Sequence, residues 1–270
     1  MNDIFKPFLK WAGGKTSVLS HILPKLPSGK RFIEPFLGAG VVFLNTHYKQ
    51  YFLADNNPDL ISVYDYLKQE GDDFIIDCER YFKPKYNEKN QYLILRELFN
   101  TTTDARLKAC LFIYLNRHGY NGLCRYNSKK IYNVPFGSYV KPLFPIERMQ
   151  IFHQKLQNAK IECSDFVDTI KNAKKGDVVY CDPPYVPLTQ TAYFTNYSHK
   201  NFSEDQQIQL AQAAKKVSKN GTTVLISNHD TQFTRKIYKG AKIISFKVHR
   251  NISCNGHKRV SAKELLAIFS

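Results

Sequence analysis

Long apolar runs are missing from this 270-residue sequence, which limits where the protein can reside. The longest ones, such as Ala109 to Leu115, are far too short to span a bilayer as a helix. The first six residues also lack the apolar core and the small-residue cleavage site of a signal peptide. We therefore expect a cytoplasmic protein with no membrane partner.

The six cysteines lack the spacing of the common zinc sites. None of the cysteines forms a Cys-x-x-Cys pair or another zinc-binding spacing, so we expect reduced thiols and no metal. The nucleophilic cysteine of cytosine-C5 chemistry usually follows a proline, and no Pro-Cys pair occurs. A covalent mechanism through Cys181 is therefore disfavoured. The six cysteines are Cys78, Cys110, Cys124, Cys163, Cys181 and Cys254.

Acidic residues are too few to balance the basic ones, with 23 Asp and Glu against 39 Lys and Arg and a net charge of +16. This excess favours a polyanionic partner whose binding depends on salt, although a merely soluble basic protein remains the alternative. The sequence contains no internal repeat, no low-complexity segment and no single long basic run. Its length allows one large domain or two small ones around a sizeable core.

The first third of the chain has the order of a mononucleotide-binding unit. A strand at 30–34 is followed by the glycine turn 35–40, a helix from Val41, and a second strand at 51–54 that ends at Asp55. Small residues let the backbone approach a ligand, and an acid at the second strand end can accept both hydroxyls of a ribose.

The middle of the chain changes to a helical pattern. Apolar spacing predicts helices at 59–69 and 104–117, and a polar, tyrosine-rich stretch at 118–139 contains the tight-turn pair Asn121-Gly122. Arg, Asn and Lys in this stretch are residue types that contact bases and phosphates, and Tyr can wedge into an opened base stack. A plain solvated hairpin is the alternative interpretation.

The α/β pattern then resumes. Ser203 and Gln206 form a capping-box signature that opens a helix ending near Lys219. We predict an α/β catalytic domain of residues 1–56 and 146–270, interrupted by a mostly helical insertion of residues 57–145. Its further strands are predicted at 161–163, 177–181, 222–227, 241–248 and 265–269.

The tetrapeptide Asp182-Pro183-Pro184-Tyr185 directly follows a short apolar run that is typical of a buried parallel strand. The prolines fix φ and remove two N–H donors, which leaves a rigid corner of acceptors beside an aromatic face. Such a corner suits a planar ring with an exocyclic amino group. An ordinary strand-to-loop turn is the alternative.

Gly14-Lys15-Thr16 is similar to the end of a phosphate-binding P-loop, but Leu9 stands where that motif needs a glycine and no strand precedes it. Trp11, beside two glycines, indicates instead either an aromatic cover over a ligand or a buried anchor for the N-terminus.

Six motifs follow one another along the chain: Lys10–Lys15, Glu34–Gly40, Tyr120–Asn127, Asn133–Gly137, Asp182–Tyr185 and Ser227–Asp230. In this order they resemble the bacterial Dam-type DNA adenine-N6 methyltransferases, of the α group of amino-methyltransferases, over about residues 8 to 269. The resemblance implies a Rossmann-like S-adenosylmethionine-dependent methyltransferase fold with a DNA-recognition insertion. It also implies S-adenosylmethionine as cofactor and duplex GATC sites as substrate.

The resemblance also implies roles for individual residues. Catalytic positions are Asp182, Pro183 and Tyr185. Cofactor-binding positions are Trp11, Lys15, Phe36, Asp55, Asp165, Phe166 and Asp182. DNA-binding positions are Lys10, Tyr120, Asn121, Leu123, Arg125, Asn127 and Pro135. Ser138 departs from members that carry a basic residue there, which leaves open whether a phosphate contact is lost or is made instead by Lys129, Lys130 or Lys141.

The expected reaction is direct methyl transfer to a flipped adenine by a monomer that needs no metal. Three alternatives stay open: a cytosine-N4 methyltransferase, a glutamine- or RNA-directed methyltransferase, and a non-catalytic DNA-binding module. His229 is expected to be structural or near the site, not a metal ligand. The sequence does not distinguish a restriction partner from an orphan enzyme that acts in repair and DNA replication.

Overall fold

A computed structural model describes residues 4–186, 202–248 and 262–270, and Cys254 lies outside them. Short 3-10 helices connect several of the elements. The helices in these ranges are α1 (Leu19–Ile22), α2 (Val41–Leu44), α3 (Pro58–Glu70), α4 (Asp72–Glu79), α5 (Lys89–Thr101), α6 (Ala105–His118), α7 (Ile146–Leu156), α8 (Phe166–Lys171), α9 (Glu204–Ser218) and α10 (Gln232–Ile237).

Seven strands form one sheet in the order β3-β2-β1-β4-β5-β7-β6. β1 pairs in parallel with β2 and β4, β4 pairs in parallel with β5, and β7 runs antiparallel to both β5 and β6. This is the doubly wound order 3-2-1-4-5-6 with one antiparallel strand inserted, so the predicted Rossmann-like α/β class is confirmed. The strands are β1 (Phe32–Glu34), β2 (Tyr51–Asp55), β3 (Ala159–Cys163), β4 (Val178–Cys181), β5 (Thr223–His229), β6 (Lys242–Val248) and β7 (Ala262–Phe269).

Local signals in the sequence located most of these elements to within a few residues. The capping box at the start of α9 is present, with the Ser203 hydroxyl accepting from the Gln206 N–H and the Gln206 side chain accepting from the Ser203 N–H. β7 begins three residues before the predicted strand. Its start is not apolar, but pairing with both β5 and β6 extends it.

One of two compact units comprises Met1–Thr16, Gly38–Thr46 and Asp55–Cys163. Four aromatic rings form its centre, with Phe8 packed edge-on against Tyr64 and Phe152 at 5.9 and 5.2 Å and Phe43 edge-on against Phe152 at 5.5 Å. Because Phe8 is fully buried, this cluster fixes the segment that follows it. The sequence predicts domain boundaries at 56/57 and 145/146, which separate a catalytic domain from the inserted DNA-recognition domain. These boundaries stay a prediction.

The other unit comprises Ser17–Leu37, His47–Ala54 and Ser164–Ser270. Its core lies between the parallel strands and the apolar faces of α8 and α9. β4 is buried along its whole length, as the continuous apolar run predicted. The core residues include Ile33, Phe52, Ile170, Val179, Leu210, Ala214, Ile226 and Leu265.

No helix among the described residues is long and apolar enough to cross a membrane. Within the same ranges, no group of three His, Cys, Asp or Glu side chains could hold a metal ion. Cys78, Cys110 and Cys181 are buried, whereas Cys163 is exposed. Burial raises the pKa of the Cys181 thiol well above its usual value, which argues against a thiolate nucleophile there.

The buried histidine at the end of α6 gives folding a specific pH dependence. Burial lowers the pKa of His118 to about 4. As pH falls below about 6.5 the unfolded chain takes up this proton first, so stability declines until the folded pKa is reached. The loss in the free energy of unfolding amounts to about 3 kcal/mol.

The free energy of unfolding in urea should decline less steeply between pH 6.5 and 4 for His118→Phe than for the wild type. Replacement of the exposed His47 by Gln is the control, and equal slopes for all three proteins would contradict this assignment.

Candidate active site

The acceptor corner, residues Asp182 to Val186, leaves the sheet at the carboxyl end of β4. Its polar backbone atoms are bonded by side chains. The Pro184 carbonyl accepts from Gln207 Nε2 at 2.8 Å, and the Val186 N–H donates to Asn228 Oδ1 at 3.2 Å. Since a carbonyl only accepts, the 2.6 Å contact between His229 Nδ1 and the Val186 oxygen means that Nδ1 carries the proton.

The ionisable groups next to the Asp182 carboxyl group are held in their neutral forms. Burial raises the pKa of Tyr180, Cys181 and Tyr185 well above their usual values. The negative charge of Asp182 adds to that rise at all three residues. The corner therefore combines one carboxylate with protonated phenols and a protonated thiol.

Tyr185 presents its ring from a fixed position. Its hydroxyl donates to Glu264 Oε2 at 3.2 Å, and its ring packs edge-on against His229 at 4.8 Å. Glu264 belongs to β7 and His229 to β5, where the two residues are direct cross-strand partners. Two neighbouring strands thus hold the phenol by its hydroxyl and by its edge.

Phe36 and Phe166, both predicted near an adenosyl pocket, come together in the structure. Their rings stack at 5.3 Å, and Phe202 packs against both at 5.5 and 5.1 Å. Asp165 immediately precedes α8 as its N-cap, with Oδ1 accepting from the Val167 N–H at 2.8 Å. This bond gives Asp165 a structural role at the start of the helix that carries Phe166.

The glycine turn is held from three sides. The Gly38 N–H donates to Asp55 Oδ2 at 3.0 Å, and its carbonyl accepts from the Tyr64 hydroxyl at 2.6 Å. A Cβ at Gly38 would lie 2.8 Å from the indole nitrogen of Trp11. The half-buried Trp11 therefore packs directly on this turn, and only glycine leaves room for it.

Asp55 ends β2 with both carboxylate oxygens engaged, since Oδ1 also accepts from the Asn57 N–H at 3.0 Å. Burial raises the pKa of Asp55, and the N–H bonds from Gly38 and Asn57 counteract this effect. Each carboxylate oxygen has a further lone pair, so the group can still accept from a ligand. Lys15 is buried, and its ammonium donates to the Gly13 carbonyl at 2.8 Å.

Lys10 lies against the recognition segment, residues 118–139. Its N–H and carbonyl are both bonded by the Asn116 side chain, at 2.8 and 2.7 Å. Its ammonium lies 4.0 Å from the centre of the Tyr139 ring, and a Cβ at Gly122 would lie 2.2 Å from the Lys10 Cβ. Burial, followed by the charge of Arg117, lowers the pKa of Lys10.

Tyr120 and Asn121 project from the predicted turn. The Tyr120 side chain is 49% exposed although its N–H is bonded to the Pro135 carbonyl. Asn121 has φ +52°, a left-handed conformation that asparagine tolerates, and its N–H donates to the Tyr139 hydroxyl at 2.9 Å. Leu123 follows, with its N–H bonded to the Tyr120 carbonyl. A fixed backbone therefore carries an exposed aromatic ring.

Arg125 is oriented by Asn133. Its Nε donates to Asn133 Oδ1 at 2.8 Å and its Nη2 to the Asn133 carbonyl at 3.0 Å, while the rest of the fork is exposed. Asn127 uses its side-chain oxygen to accept from the N–H groups of Lys129 and Ile131, which closes its own turn. Pro135 is exposed beside them.

Four polar residues that hold these groups received no individual role from the sequence, although Asn133 and Asn228 lie in two of the six motifs. Gln207 occupies a position on the apolar face of α9, and Asn228 is buried near the end of β5. A polar residue at a position whose neighbours are all buried is a detectable signal. Asn116 near the end of α6 shows the same signal, whereas Asn133 does not, because it lies in an irregular segment.

Known proteins match the chain over almost its whole length. A sequence profile of the D12 class N6 adenine-specific DNA methyltransferases matches residues 11–252. The chain is 48% identical to a DNA adenine methylase of Vibrio cholerae, covering 98% of this chain and 96% of that protein. It is 49% identical to one of Serratia marcescens (98% and 98%) and 47% identical to one of Escherichia coli (98% and 95%).

Solved structures match only weakly. A precorrin-6y C5,15-methyltransferase of Geobacter metallireducens is 7% identical with a TM-score of 0.36, over 96% of this chain and 94% of that chain. A precorrin 8W decarboxylase of Methanobacterium thermoautotrophicum is 10% identical with a TM-score of 0.38, over 96% and 93%. A likeness this weak says nothing about what the chain does.

Trp11 is the only tryptophan in the sequence, so its fluorescence reports on the glycine turn alone. Gly38→Ala should displace the indole, because the new Cβ would overlap it and the residue has φ +47°. We expect a shifted emission maximum and stronger acrylamide quenching. Gly13→Ala is the matched control, with φ +78° but nothing within 4 Å of the added Cβ. Unchanged quenching in Gly38→Ala would contradict the contact.

Proposed function

We propose a specific reaction for this chain, which belongs to the D12 class of N6 adenine-specific DNA methyltransferases: methyl transfer from S-adenosylmethionine to an adenine flipped out of a duplex GATC site. Membership of the family gives adenine-N6 methylation of DNA. The donor, the flipping and the site are our proposal. The observation that carries it is the rigid acceptor corner after β4, with one carboxylate beside a held aromatic ring.

The corner recognises the exocyclic amine. The Asp182 carboxylate and the Pro183 carbonyl accept the two N6–H bonds, which localises the nitrogen lone pair. The Pro184 carbonyl is already bonded to Gln207, and this supports the assignment of the second bond to Pro183. Tyr185 stacks on the adenine ring and stays a neutral phenol, because burial raises its pKa. Catalysis by these residues is positioning and electrostatic stabilisation.

The residues around the glycine turn fit S-adenosylmethionine. Asp55 can accept from ribose hydroxyls, and the glycine turn lets backbone approach beneath Trp11. Phe36 and Phe166 offer an aromatic surface suited to an adenine ring, with Asp165 fixing the start of α8. Lys15 is the cation of this set. When bound, S-adenosylmethionine supplies an electrophilic sulfonium methyl group.

The recognition segment supplies the contacts to DNA. We assign base reading to Lys10, Leu123, Arg125 and Pro135, and insertion into the base stack to Tyr120. The exposure of Tyr120 and the fixed orientation of Arg125 support these roles, since an arginine fork held on one edge can bond guanine with the other. Asn121 and Asn127 contact DNA beside them. The net charge of +16 supports binding to the phosphate backbone.

Asp182→Ala should reduce methylation about 1,000-fold or more, because the amine loses its charged acceptor. DNA affinity, measured by fluorescence anisotropy, should change little. Asp168→Ala is the control, since that carboxylate is 68% exposed and pairs with Lys171 in a surface ion pair. Labelled-methyl transfer to a GATC duplex is the assay. Substantial turnover by Asp182→Ala would remove Asp182 from the catalytic role.

Site preference can be tested by mapping the methylated base in duplexes that carry GATC or a single altered base pair. We expect methylation of the GATC adenine, and loss of discrimination by about 1–3 kcal/mol at one guanine position in Arg125→Ala. Lys129→Ala, an exposed change in the neighbouring turn, should weaken binding to all duplexes alike. Equal methylation of adenines outside GATC would overturn the site assignment but leave the reaction standing.

A further inference from the structure

We infer that Gln207 and Asn228 act as a pair of positioning residues that set the acceptor corner for the reaction. The inference rests on the proposed role of Asp182 and Tyr185. Neither amide is part of the reacting set. Both are buried, with exposed fractions of 1% and 0%, Gln207 on the buried face of α9 and Asn228 near the end of β5.

The corner needs such support because of its own sequence. Pro183 and Pro184 have no N–H, so the β4 ladder cannot continue through them. Backbone polar groups that leave a sheet in a buried place must find other partners. Two of these backbone groups bond to side-chain amides. The Pro184 carbonyl accepts from Gln207 Nε2, and the Val186 N–H donates to Asn228 Oδ1.

The side-chain amides of Gln207 and Asn228 are hydrogen-bonded to each other, with Asn228 as the donor and Gln207 as the acceptor. Asn228 Nδ2 donates to Gln207 Oε1 at 3.0 Å and to the Tyr238 hydroxyl at 3.0 Å. Asn228 Oδ1 accepts from Val186 and from the His229 N–H at 2.9 Å. Rotating either amide by half a turn would set donor against donor or oxygen against oxygen. The network therefore has one arrangement in which every bond is made.

This arrangement fixes the backbone on both sides of Tyr185. The Gln207 amide holds residue 184 and the Asn228 amide holds residue 186. The backbone that carries the Tyr185 ring is therefore fixed on both sides. The Asp182 carboxylate lies two residues before the first of these bonds. Small displacements of reacting groups lower rates strongly, whereas substrate binding depends on many other contacts. Loss of the pair should therefore act on kcat more than on KM.

Gln207→Met keeps the size of the side chain and removes both of its hydrogen bonds. We expect kcat on a GATC duplex to fall about tenfold or more, with KM for DNA and for S-adenosylmethionine changed less than about twofold. Gln209→Met, an exposed change on the same helix, is the matched control and should retain wild-type kcat. Thermal unfolding of both variants checks that they fold.

Gln207→Glu separates positioning from a merely structural role. An ionised carboxylate cannot donate to the Pro184 carbonyl, whereas a protonated one can, with its other oxygen still accepting from Asn228. The ratio of variant kcat to wild-type kcat should therefore rise as pH falls. This second variant keeps the test valid if Gln207→Met proves unstable. Parallel pH profiles for variant and wild type would overturn the inference.

These experiments distinguish failure of the positioning role from failure of the proposed function. A wild-type protein without S-adenosylmethionine-dependent adenine methylation would overturn the proposed reaction itself. An active wild type with an active Asp182→Ala would overturn the role of the corner. If the wild type is active, Asp182→Ala is inactive and Gln207→Met retains wild-type kcat, only the positioning role fails.

Discussion

Two missing N–H donors, at Pro183 and Pro184, are the constraint on which the acceptor corner depends. A strand that ends in a single proline could still be held by its neighbours in the sheet, but two in succession release the chain from the ladder. The side chains of α9 and β5 then replace the ladder bonds. The result is a backbone held at residues 184 and 186, next to the Pro183 carbonyl that we propose as an acceptor. Rigidity and available acceptors are the two properties that recognition of an amino group requires.

The sequence predicted what depends on short-range physics. β4 and its position before Asp182, the capping box of α9 and the glycine turn before α2 all follow from residues within a few positions of each other. The supports did not follow, because they join distant residues: Gln207 to Pro184 across 23 positions, and Lys10 to Asn116 across 106. A buried amide signals that a partner exists, but only the fold determines which backbone group it bonds.

Burial raises the pKa of acidic groups both around Asp182 and at Asp55, but the groups that it affects differ. Around Asp182 it raises the pKa of phenols and a thiol, so they stay protonated and the carboxylate keeps its place as the acceptor. At Asp55 burial raises the pKa of the carboxylate itself, and two backbone N–H bonds offset part of that effect. The glycine turn therefore does more than leave space, since the Gly38 N–H favours the charged form of the acid.

Lys10 and Trp11 show how one short segment contacts two glycine-containing turns. Lys10 packs against Gly122 of the recognition segment, and Trp11 packs against Gly38 of the turn that binds Asp55. In each case a Cβ on the glycine would overlap the side chain, so neither contact tolerates a shift of the segment. The buried ring of Phe8 and the two hydrogen bonds between Lys10 and the Asn116 side chain fix this segment in place. Both turns therefore pack against one fixed segment.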